Sequence, residues 1–113
     1  MTDEPRRGDV VIAATGSGFG GKPRPFIVIQ SDGYTTKTIL LAGCSTVLES
    51  ESHIRPYLTP STTNGLRESC RVMVDVLVTS PRAKIGHVAG YLSSTELAEV
   101  DAALLLVLGL ADS

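Results

Sequence analysis

Residues 9–30 have the sequence DVVIAATGSGFGGKPRPFIVIQ, in which two β-branched segments flank a stretch rich in glycine and proline. Val10–Ala14 and Phe26–Gln30 each have the length and composition of a buried strand. The residues between them, Thr15–Pro25, contain too much glycine and proline for a helix or for the interior of a regular strand. The sequence therefore predicts two strands joined by a long, mobile loop.

Further strands are predicted downstream, separated by turn signals such as the dipeptide Asn64-Gly65. Several short strands followed by one helix are typical of a small, mostly antiparallel barrel or sandwich. The additional strands are predicted at Thr38–Ser45, Arg55–Thr59, Arg71–Thr79 and Lys84–Val88.

Alternation within the strand Arg71–Thr79 predicts that Val72, Val74, Val76 and Val78 share one face. Asp75 then lies on the other face, inside an otherwise apolar strand. A carboxylate in such a place costs free energy unless it is hydrogen-bonded or opens onto a site. Two roles for Asp75 are open: contact with a substrate, or pairing with the local backbone or Arg71.

The C-terminal residues predict a helix. Ser93 is a suitable N-cap residue and Glu96 follows three residues later, which is the spacing of a capping box, while Gly109 ends the helix. Apolar residues at helical spacing form a stripe wider than one face, and this favours additional burial in a dimer. The stripe comprises Leu97, Val100, Leu104, Leu105, Leu106, Val107 and Leu108.

The chain has 113 residues, 42% of them hydrophobic and 19% charged, which fits a single domain spanning residues 1–113. Ten Lys and Arg residues against twelve Asp and Glu residues give a net charge of −2, so a nucleic-acid site must be a local patch. Two cysteines do not make a disulfide framework. No signal peptide or membrane-spanning segment is recognisable, and we expect a cytoplasmic protein without membrane contact.

The glycine-rich loop matches nucleotide-binding patterns only in part. Gly16–Gly21 fits the dinucleotide pattern G-x-G-x-x-G, but a strand rather than a helix follows it. In a P-loop, Pro23 would stand where Ser or Thr must contact Mg²⁺. Neither His53 nor His87 has neighbours at metal-ligand spacing, so no metal site is predicted.

One arrangement suits an anion such as a phosphodiester. The loop delivers Lys22 and Arg24 to the start of a strand, and the hydroxyls of Ser45 and Thr46 stand at the end of another. Arginine offers a permanently charged fork of donors, and a proline on either side limits its directions. A hydroxyl can donate to a phosphoryl oxygen. The alternative is a hairpin loop with a solvated arginine.

Several blocks between Arg6 and Leu110 combine with this arrangement in an order and spacing that chance rarely produces. They are Arg7–Val10, Gly20–Pro25, Phe26–Gln30, Thr38–Thr46, Asn64–Leu66, Val72–Asp75, Lys84–Gly86 and Leu106–Leu110. Together they resemble the MazF/PemK toxin family over nearly the whole chain.

The resemblance implies a mainly β, α+β fold: a small SH3-like β-barrel of the MazF, PemK and CcdB type with a C-terminal helix. It also implies a cytoplasmic homodimer, the toxin of a type II toxin–antitoxin system that arrests growth and whose cognate antitoxin blocks the site. The implied activity is sequence-specific cleavage of single-stranded RNA or mRNA. In this reaction the 2′-hydroxyl attacks the adjacent phosphate and leaves a 2′,3′-cyclic phosphate and a 5′-hydroxyl, without a metal or cofactor.

The resemblance also implies roles for individual residues. Arg24 matches the catalytic arginine of the family and would stabilise charge in the transition state. The catalytic threonine of the family falls on Ser45, with Thr46 next to it, and only one of the two can face the site. Val78 stands where many members have an arginine, for which Arg82 is a candidate substitute. The residues expected to bind substrate are Gly21, Lys22, Thr46, Asp75, Thr79 and Arg82, and Lys84 would complete a basic patch with Lys22, Arg24 and Arg82.

Two alternatives belong to other classes. The same barrel is used by CcdB-type toxins, which poison DNA gyrase and are not enzymes, so the fold alone does not define an activity. A second alternative is an inactive module that only binds an antitoxin. The glycine density of Gly16–Lys22 further predicts that this loop moves as RNA or antitoxin binds.

Overall fold

The computed structural model describes residues 4–14 and 21–111. Within them six strands form one antiparallel sheet in the order β4-β5-β3-β2-β1-β6, and a helix follows. The strands are β1 (Asp9–Ala13), β2 (Arg24–Val28), β3 (Thr38–Ser45), β4 (Tyr57–Leu58), β5 (Cys70–Pro81) and β6 (Ile85–Tyr91), and the helix is α1 (Ser94–Val107). The sheet curls into a half-barrel, which confirms the predicted mainly β fold with a C-terminal helix.

The strand bounds agree with the prediction at β3 and differ elsewhere. β2 begins at Arg24 rather than Phe26, because Arg24 pairs with Ala13 of β1, so the predicted loop Thr15–Pro25 is wrong at its last two residues. Backbone pairing here overrides the low strand propensity of a proline close to the strand start. The remaining glycine-rich residues 15–20, and with them most of the segment expected to move, lie outside the described residues.

The far ends of the other strands also follow their partners. β4 is shorter than predicted because only Tyr57 and Leu58 pair with β5. β6 is longer because its pairing with β1 continues to the Asp9–Tyr91 pair. Gln30 lies beyond β2. Its side-chain nitrogen Nε2 donates to the Tyr34 carbonyl at 3.0 Å and thereby shapes the β2–β3 connection.

A bulge of several residues interrupts β5, so the predicted alternation of its side chains is wrong. Ala42 of β3 pairs with Leu77, but Cys44, only two residues further along β3, pairs with Val72. The additional residues of β5 lie between these two pairs and have no partner in the β3 register. Val72 is buried and Val76 is 39% exposed, so the four valines do not share one buried face. Bulges of this kind bend a strand and redirect its side chains.

Two hydrophobic cores cover the two faces of the sheet. The helix-side core lies between the sheet and α1, and the opposite core lies on the other face. The helix-side core contains Val10, Ile27, Ile29, Ala42, Leu58, Leu66, Cys70, Val72, Val74, Leu92, Val100 and Leu104. The opposite core contains Val11, Ala13, Phe26, Val28, Ile39 and Leu41. Because side chains alternate along a strand, each face of the sheet can be followed residue by residue.

The ends of α1 confirm the predicted capping. The Ser93 side chain accepts from the Glu96 amide, and the Glu96 side chain accepts from the Ser93 amide, forming a capping box. Gly109 has φ +73° and the Leu110 amide donates to the Leu105 carbonyl, as in a Schellman motif. Among the described residues no helix has both the length and the apolar character that crossing a bilayer requires.

The second half of the apolar stripe on α1 is not buried within the chain. Val100 and Leu104 face the helix-side core, whereas Leu106 is 51% exposed, Leu108 53% and Leu110 72%. The exposed apolar side chains at the C-terminal end of α1 form a surface patch. We call it the helix-end patch: Leu105, Leu106, Val107, Leu108 and Leu110.

The turn around Asn64 attaches the loop before β5 to both β6 and α1. Asn64 is fully buried, and its side-chain amide donates to the Thr59 carbonyl at 2.9 Å and to the Glu96 carboxylate at 3.1 Å. Gly90 of β6 packs against this turn so closely that an added Cβ would stand 2.3 Å from the Thr63 carbonyl oxygen. Glycine is required at position 90 by space rather than by backbone conformation.

Substituting Gly90→Ala should lower the free energy of unfolding by about 2–3 kcal/mol, because the methyl group must displace backbone rather than a flexible side chain. Gly33→Ala is the matched control, since a Cβ there meets only the Ser31 hydroxyl at 3.4 Å. Urea denaturation of both variants measures the difference. Equal midpoints for Gly90→Ala and the wild type would contradict the packing described for the Asn64 turn.

Candidate functional site

The sheet pairing gathers polar residues at one end of β2, β3 and β5. Phe26 of β2 pairs with Gly43 of β3, and continuing this register by two residues brings Arg24 opposite Ser45. Ser45 in turn pairs with Arg71 of β5. Alternation puts all three residues on the face that carries the opposite core, beyond its last apolar side chains. We call this set the strand-end site: Arg24, Ser45 and Arg71.

Arg24 lies at the surface as the first residue of β2, between Pro23 and Pro25. Its pairing with Ala13 of β1 fixes the backbone from which its side chain extends. Lys22 precedes it, also exposed, and adds a second positive charge at the same strand end. Lys22 and Arg24 thus bring two positive charges to this strand end of an acidic chain.

Gly21 and Lys22 lead into the site from the glycine-rich side. Gly21 has φ +73° and open space where a Cβ would stand, so the backbone conformation rather than packing favours glycine here. The turn directs the chain into Pro23 and Arg24.

Ser45 is the half-buried last residue of β3. Its Oγ accepts a hydrogen bond from the Val47 amide at 3.1 Å, which turns the chain away from the strand. Because that bond uses an acceptor lone pair, the hydroxyl proton is available to donate to a phosphoryl oxygen. Thr46 follows, exposed and beyond the end of β3, so the strand register that brings Ser45 opposite Arg24 does not extend to it. The geometry therefore favours Ser45 over Thr46 as the hydroxyl beside Arg24.

Asp75 lies in the β5 bulge and has an ionic partner that the sequence interpretation missed. The Arg55 guanidinium donates to both Asp75 carboxylate oxygens, Nε at 2.7 Å and Nη2 at 2.9 Å. The prediction that Arg71 pairs with Asp75 is wrong. The hydrogen bonds from Arg55 lower the pKa of Asp75 from its ordinary value of 3.8, and Asp75 raises the pKa of Arg55. The bidentate pair holds Asp75 as a carboxylate.

Arg71 is the functional candidate that the sequence analysis did not select. Its guanidinium donates through Nε to the Leu48 carbonyl at 2.8 Å and through Nη1 to the Arg55 carbonyl at 3.1 Å. The guanidinium carbon also stands 5.3 Å from the ring centroid of Tyr57, its partner in β4. The pairing with Ser45, which no local sequence signal specifies, gives Arg71 its place.

The structure places Thr79 and Arg82 away from this strand end within the chain. Thr79 pairs with Leu40, which packs against the helix-side core, so Thr79 lies on the other face from Ser45. Arg82 follows the Thr38–Pro81 pair at the far end of β3. There its guanidinium donates to the backbone carbonyls of Thr36 and Tyr34.

Arg82 also lines an open cavity of about 460 Å³ with residues of the N-terminal segment and the β2–β3 connection. This cavity contains neither Arg24 nor Ser45. The four-residue basic patch is thus divided, because Lys22 and Arg24 lie at one end of β2 and Arg82 at the opposite end of β3. Lys84 belongs to the short 3₁₀ turn before Ile85. Ile85 pairs with Ala13, the residue that also pairs with Arg24, so Lys84 lies toward the Arg24 end of the sheet. In residues 4–14 and 21–111, no group of three or more His, Cys, Asp or Glu side chains is arranged to hold a metal ion.

A family model described as "PemK-like, MazF-like toxin of type II toxin-antitoxin system" matches residues 6–108 of this chain. A protein of Mycolicibacterium smegmatis (strain ATCC 700084 / mc(2)155) named "Probable endoribonuclease MazF" is 34% identical over 107 residues, covering 94% of this chain and 98% of that protein. The chain therefore belongs to the PemK-like, MazF-like toxin family of type II toxin–antitoxin systems.

Solved structures share the fold at lower sequence identity. An endoribonuclease in complex with its cognate antitoxin, from a mycobacterial species, superposes with a TM-score of 0.77 at 18% identity and covers 99% of this chain and 100% of its own. The Mycobacterium tuberculosis toxin MazF-mt6 gives 0.76 at 19% identity, covering 92% and 99%. A MazE–MazF structure from Deinococcus radiodurans gives 0.74 at 20% identity, covering 96% and 99%.

The Arg55–Asp75 pair should make stability depend on pH in the acid range. Because the pKa of Asp75 is lower in the folded chain than in the unfolded one, the pair stabilises the fold above pH about 4, and this contribution is lost as the pH falls through the folded-state pKa. Asp75→Asn should therefore reduce the free energy of unfolding by about 1 kcal/mol at pH 7 and by less at pH 3. Urea denaturation at both pH values measures this, and an equal loss at both would contradict the ionic role.

Proposed function

We propose that this protein is the endoribonuclease toxin of a type II toxin–antitoxin pair and that it cuts single-stranded mRNA at the strand-end site. The observation that carries the proposal is the strand register that brings Arg24, at the start of β2, opposite Ser45, at the end of β3, on the same face of the sheet. The family to which the chain belongs and the endoribonuclease name of its 34% identical relative support this assignment.

The proposed reaction is an internal transesterification of the RNA. The 2′-hydroxyl of the RNA gives up its proton to solvent and forms a bond to the adjacent phosphorus as the bond to the 5′-oxygen breaks. The departing 5′-oxygen takes a proton from solvent, which leaves a 2′,3′-cyclic phosphate and a 5′-hydroxyl. Negative charge accumulates on the non-bridging oxygens in the transition state, and the Arg24 guanidinium is placed to stabilise it. Arginine remains charged at neutral pH, so its role is electrostatic rather than that of a general base.

Ser45 complements Arg24 by donating its hydroxyl hydrogen to a phosphoryl oxygen, while its acceptor side is held by the Val47 amide. Gly21 and Lys22 would bind the RNA backbone as it enters from the glycine-rich loop, and Thr46 would contact it from the neighbouring position. Substrate contacts for Thr79, Arg82 and Asp75 require either an RNA that extends along the sheet or a second copy of the chain. We propose that the protein acts in the cytoplasm, where mRNA is accessible.

The cognate antitoxin is the proposed protein partner. Solved toxins with this fold include an endoribonuclease in complex with its cognate antitoxin and a MazE–MazF complex. By analogy, an antitoxin would occlude the strand-end site. An acidic antitoxin segment would fit the local positive charge of Lys22 and Arg24.

We expect the purified protein to cut a long single-stranded RNA at limited sites in the presence of EDTA and to leave 2′,3′-cyclic phosphate ends. Arg24→Ala should lower the cleavage rate by about 10²- to 10³-fold because the transition state loses a charged donor. Ser45→Ala should also lower the rate, whereas Thr46→Ala should lower it less. Primer extension and end-group analysis identify the cuts.

The same assay separates the alternatives. Cleavage that survives in Arg24→Ala, or that disappears with EDTA, would contradict the proposed mechanism. Intact RNA across varied sequences would instead favour a gyrase poison or an inactive antitoxin-binding module, and inhibition of DNA supercoiling by gyrase distinguishes those two.

The homodimer is a further part of the proposal, with the helix-end patch as its support. Leu106, Leu108 and Leu110 are each more than half exposed, and contiguous apolar surface of this kind is a common feature of protein interfaces. We propose that two copies bury this patch and form one composite RNA groove along their interface.

Leu106→Glu should shift the protein from dimer to monomer, because burying the new carboxylate in an apolar interface costs free energy. Ala102→Glu adds the same charge to an exposed earlier position of α1 and is the control. Sedimentation velocity at micromolar concentration measures both. A wild-type protein that is strictly monomeric under these conditions would remove the dimer from the proposal.

A further inference from the structure

We infer that Arg71 is a positioning residue that holds the reactive hydroxyl of Ser45 in place by tying both ends of the segment 46–56 to β5. This inference rests on the proposed function, since it assigns a role in the cleavage reaction. The segment follows Ser45 directly and leads to β4, so its conformation sets the orientation of the last residue of β3.

Arg71 makes one hydrogen bond to each end of the segment. Its Nε donates to the Leu48 carbonyl at 2.8 Å, three residues after Ser45, and its Nη1 donates to the Arg55 carbonyl at 3.1 Å, next to the start of β4. A single rigid guanidinium thus fixes the separation of the two ends. Lysine could serve only one of these carbonyls at a time with comparable geometry, because its ammonium lacks the planar fork.

The Arg71 guanidinium is itself held on two sides. The Tyr57 ring lies 5.3 Å from the guanidinium carbon, and the backbone of Arg71 pairs with Tyr57 and Ser45 in the two neighbouring strands. An arginine supported in this way loses little further conformational freedom when it binds the two carbonyls.

A second interaction, the ion pair between Arg55 and Asp75, stabilises the far end of the segment. The Arg55 side chain, only 10% exposed, binds both Asp75 carboxylate oxygens, while its carbonyl accepts from Arg71. Asp75 reaches Arg55 from the β5 bulge. The adjoining Pro56 carbonyl also accepts from the Val72 amide at 2.8 Å. The bulge is therefore the feature that allows one strand to hold the segment by both Arg71 and Asp75.

We call the hydrogen bonds of Arg71 and Asp75 to the segment 46–56 the clasp. The near end of the segment connects the clasp to Ser45. The Val47 amide donates to Ser45 Oγ at 3.1 Å, and Leu48, the next residue, is fixed by Arg71. Displacing Leu48 would move Val47 and so disturb the hydrogen bond that holds Ser45 Oγ. A displacement of about 1 Å at a reacting group can cost about 10²-fold in rate.

The test compares Arg71→Met with Arg67→Met, which removes an equal charge from an exposed position outside the strand-end site. Steady-state cleavage of one RNA substrate should give a kcat reduced about 10- to 100-fold for Arg71→Met with KM changed less than threefold. Arg67→Met should leave kcat near the wild-type value, and Arg71→Lys should fall between the two. A rise in KM without a fall in kcat for Arg71→Met would overturn the positioning role and assign Arg71 to RNA binding.

Hydrogen exchange supplies a readout that does not depend on activity. Amides of residues 46–56 should exchange at least tenfold faster in Arg71→Met than in wild type, and Asp75→Asn should accelerate the residues nearest Arg55 only. Thermal melts by circular dichroism establish that each variant is folded, and Arg71→Lys provides the folded comparison if Arg71→Met is not. Unchanged exchange in both Arg71 variants would overturn the clasp whatever the RNA assay gives. Faster exchange in Arg71→Met, together with a wild-type protein that cuts no RNA, would instead contradict the proposed function while supporting the contacts of Arg71.

Discussion

The pairing of β3 with β2 on one side and β5 on the other is the constraint on which the rest of the structure depends. It commits Ile39 and Leu41 to the opposite core and Ala42 to the helix-side core. A slip of one residue would exchange these faces and is opposed by both cores at once. The same register that buries the apolar residues brings Ser45 alongside Arg71 and toward Arg24. The energetics of the core and the geometry of the candidate site therefore have one origin.

The bulge in β5 is the second feature that determines the geometry of the site. A regular β5 would continue alternation through Asp75 and place its carboxylate among the apolar side chains of one face, as the sequence pattern suggested. The additional residues between Val72 and Leu77 instead bring Asp75 to Arg55. The carboxylate is thereby neutralised within the chain, and Arg71 is left to bind backbone carbonyls beside Ser45. In a protein of net charge −2, the Arg55–Asp75 pair thus removes one carboxylate from competition for the cations of the strand-end site.

The solved structures of similar proteins support the fold of this chain, whereas the activity needs a separate argument. Solved toxins at 16–21% identity share the fold over most of the chain, and such likeness concerns architecture. The activity is argued from the site, because one barrel can serve unrelated functions. Arg71, Arg55 and Asp75 add to that site a structural support that the block-by-block resemblance did not indicate. Their contacts explain how a half-buried serine at a strand end can be held with one lone pair engaged and its hydrogen free to donate.

The sequence by itself determined the elements whose signals are local. The bounds of β3, the capping box of Ser93 and Glu96 and the end of α1 near Gly109 follow from β-branched composition, cap chemistry and a left-handed glycine, which act within a few residues. Tertiary structure alone decided that β2 starts at Arg24, that Asp75 pairs with Arg55, that Asn64 is buried and that Thr79 and Arg82 lie away from Ser45. Each of these depends on strand pairing between residues distant in the chain. Register and bulges are set by the simultaneous packing of two cores, a balance that no short stretch of sequence contains.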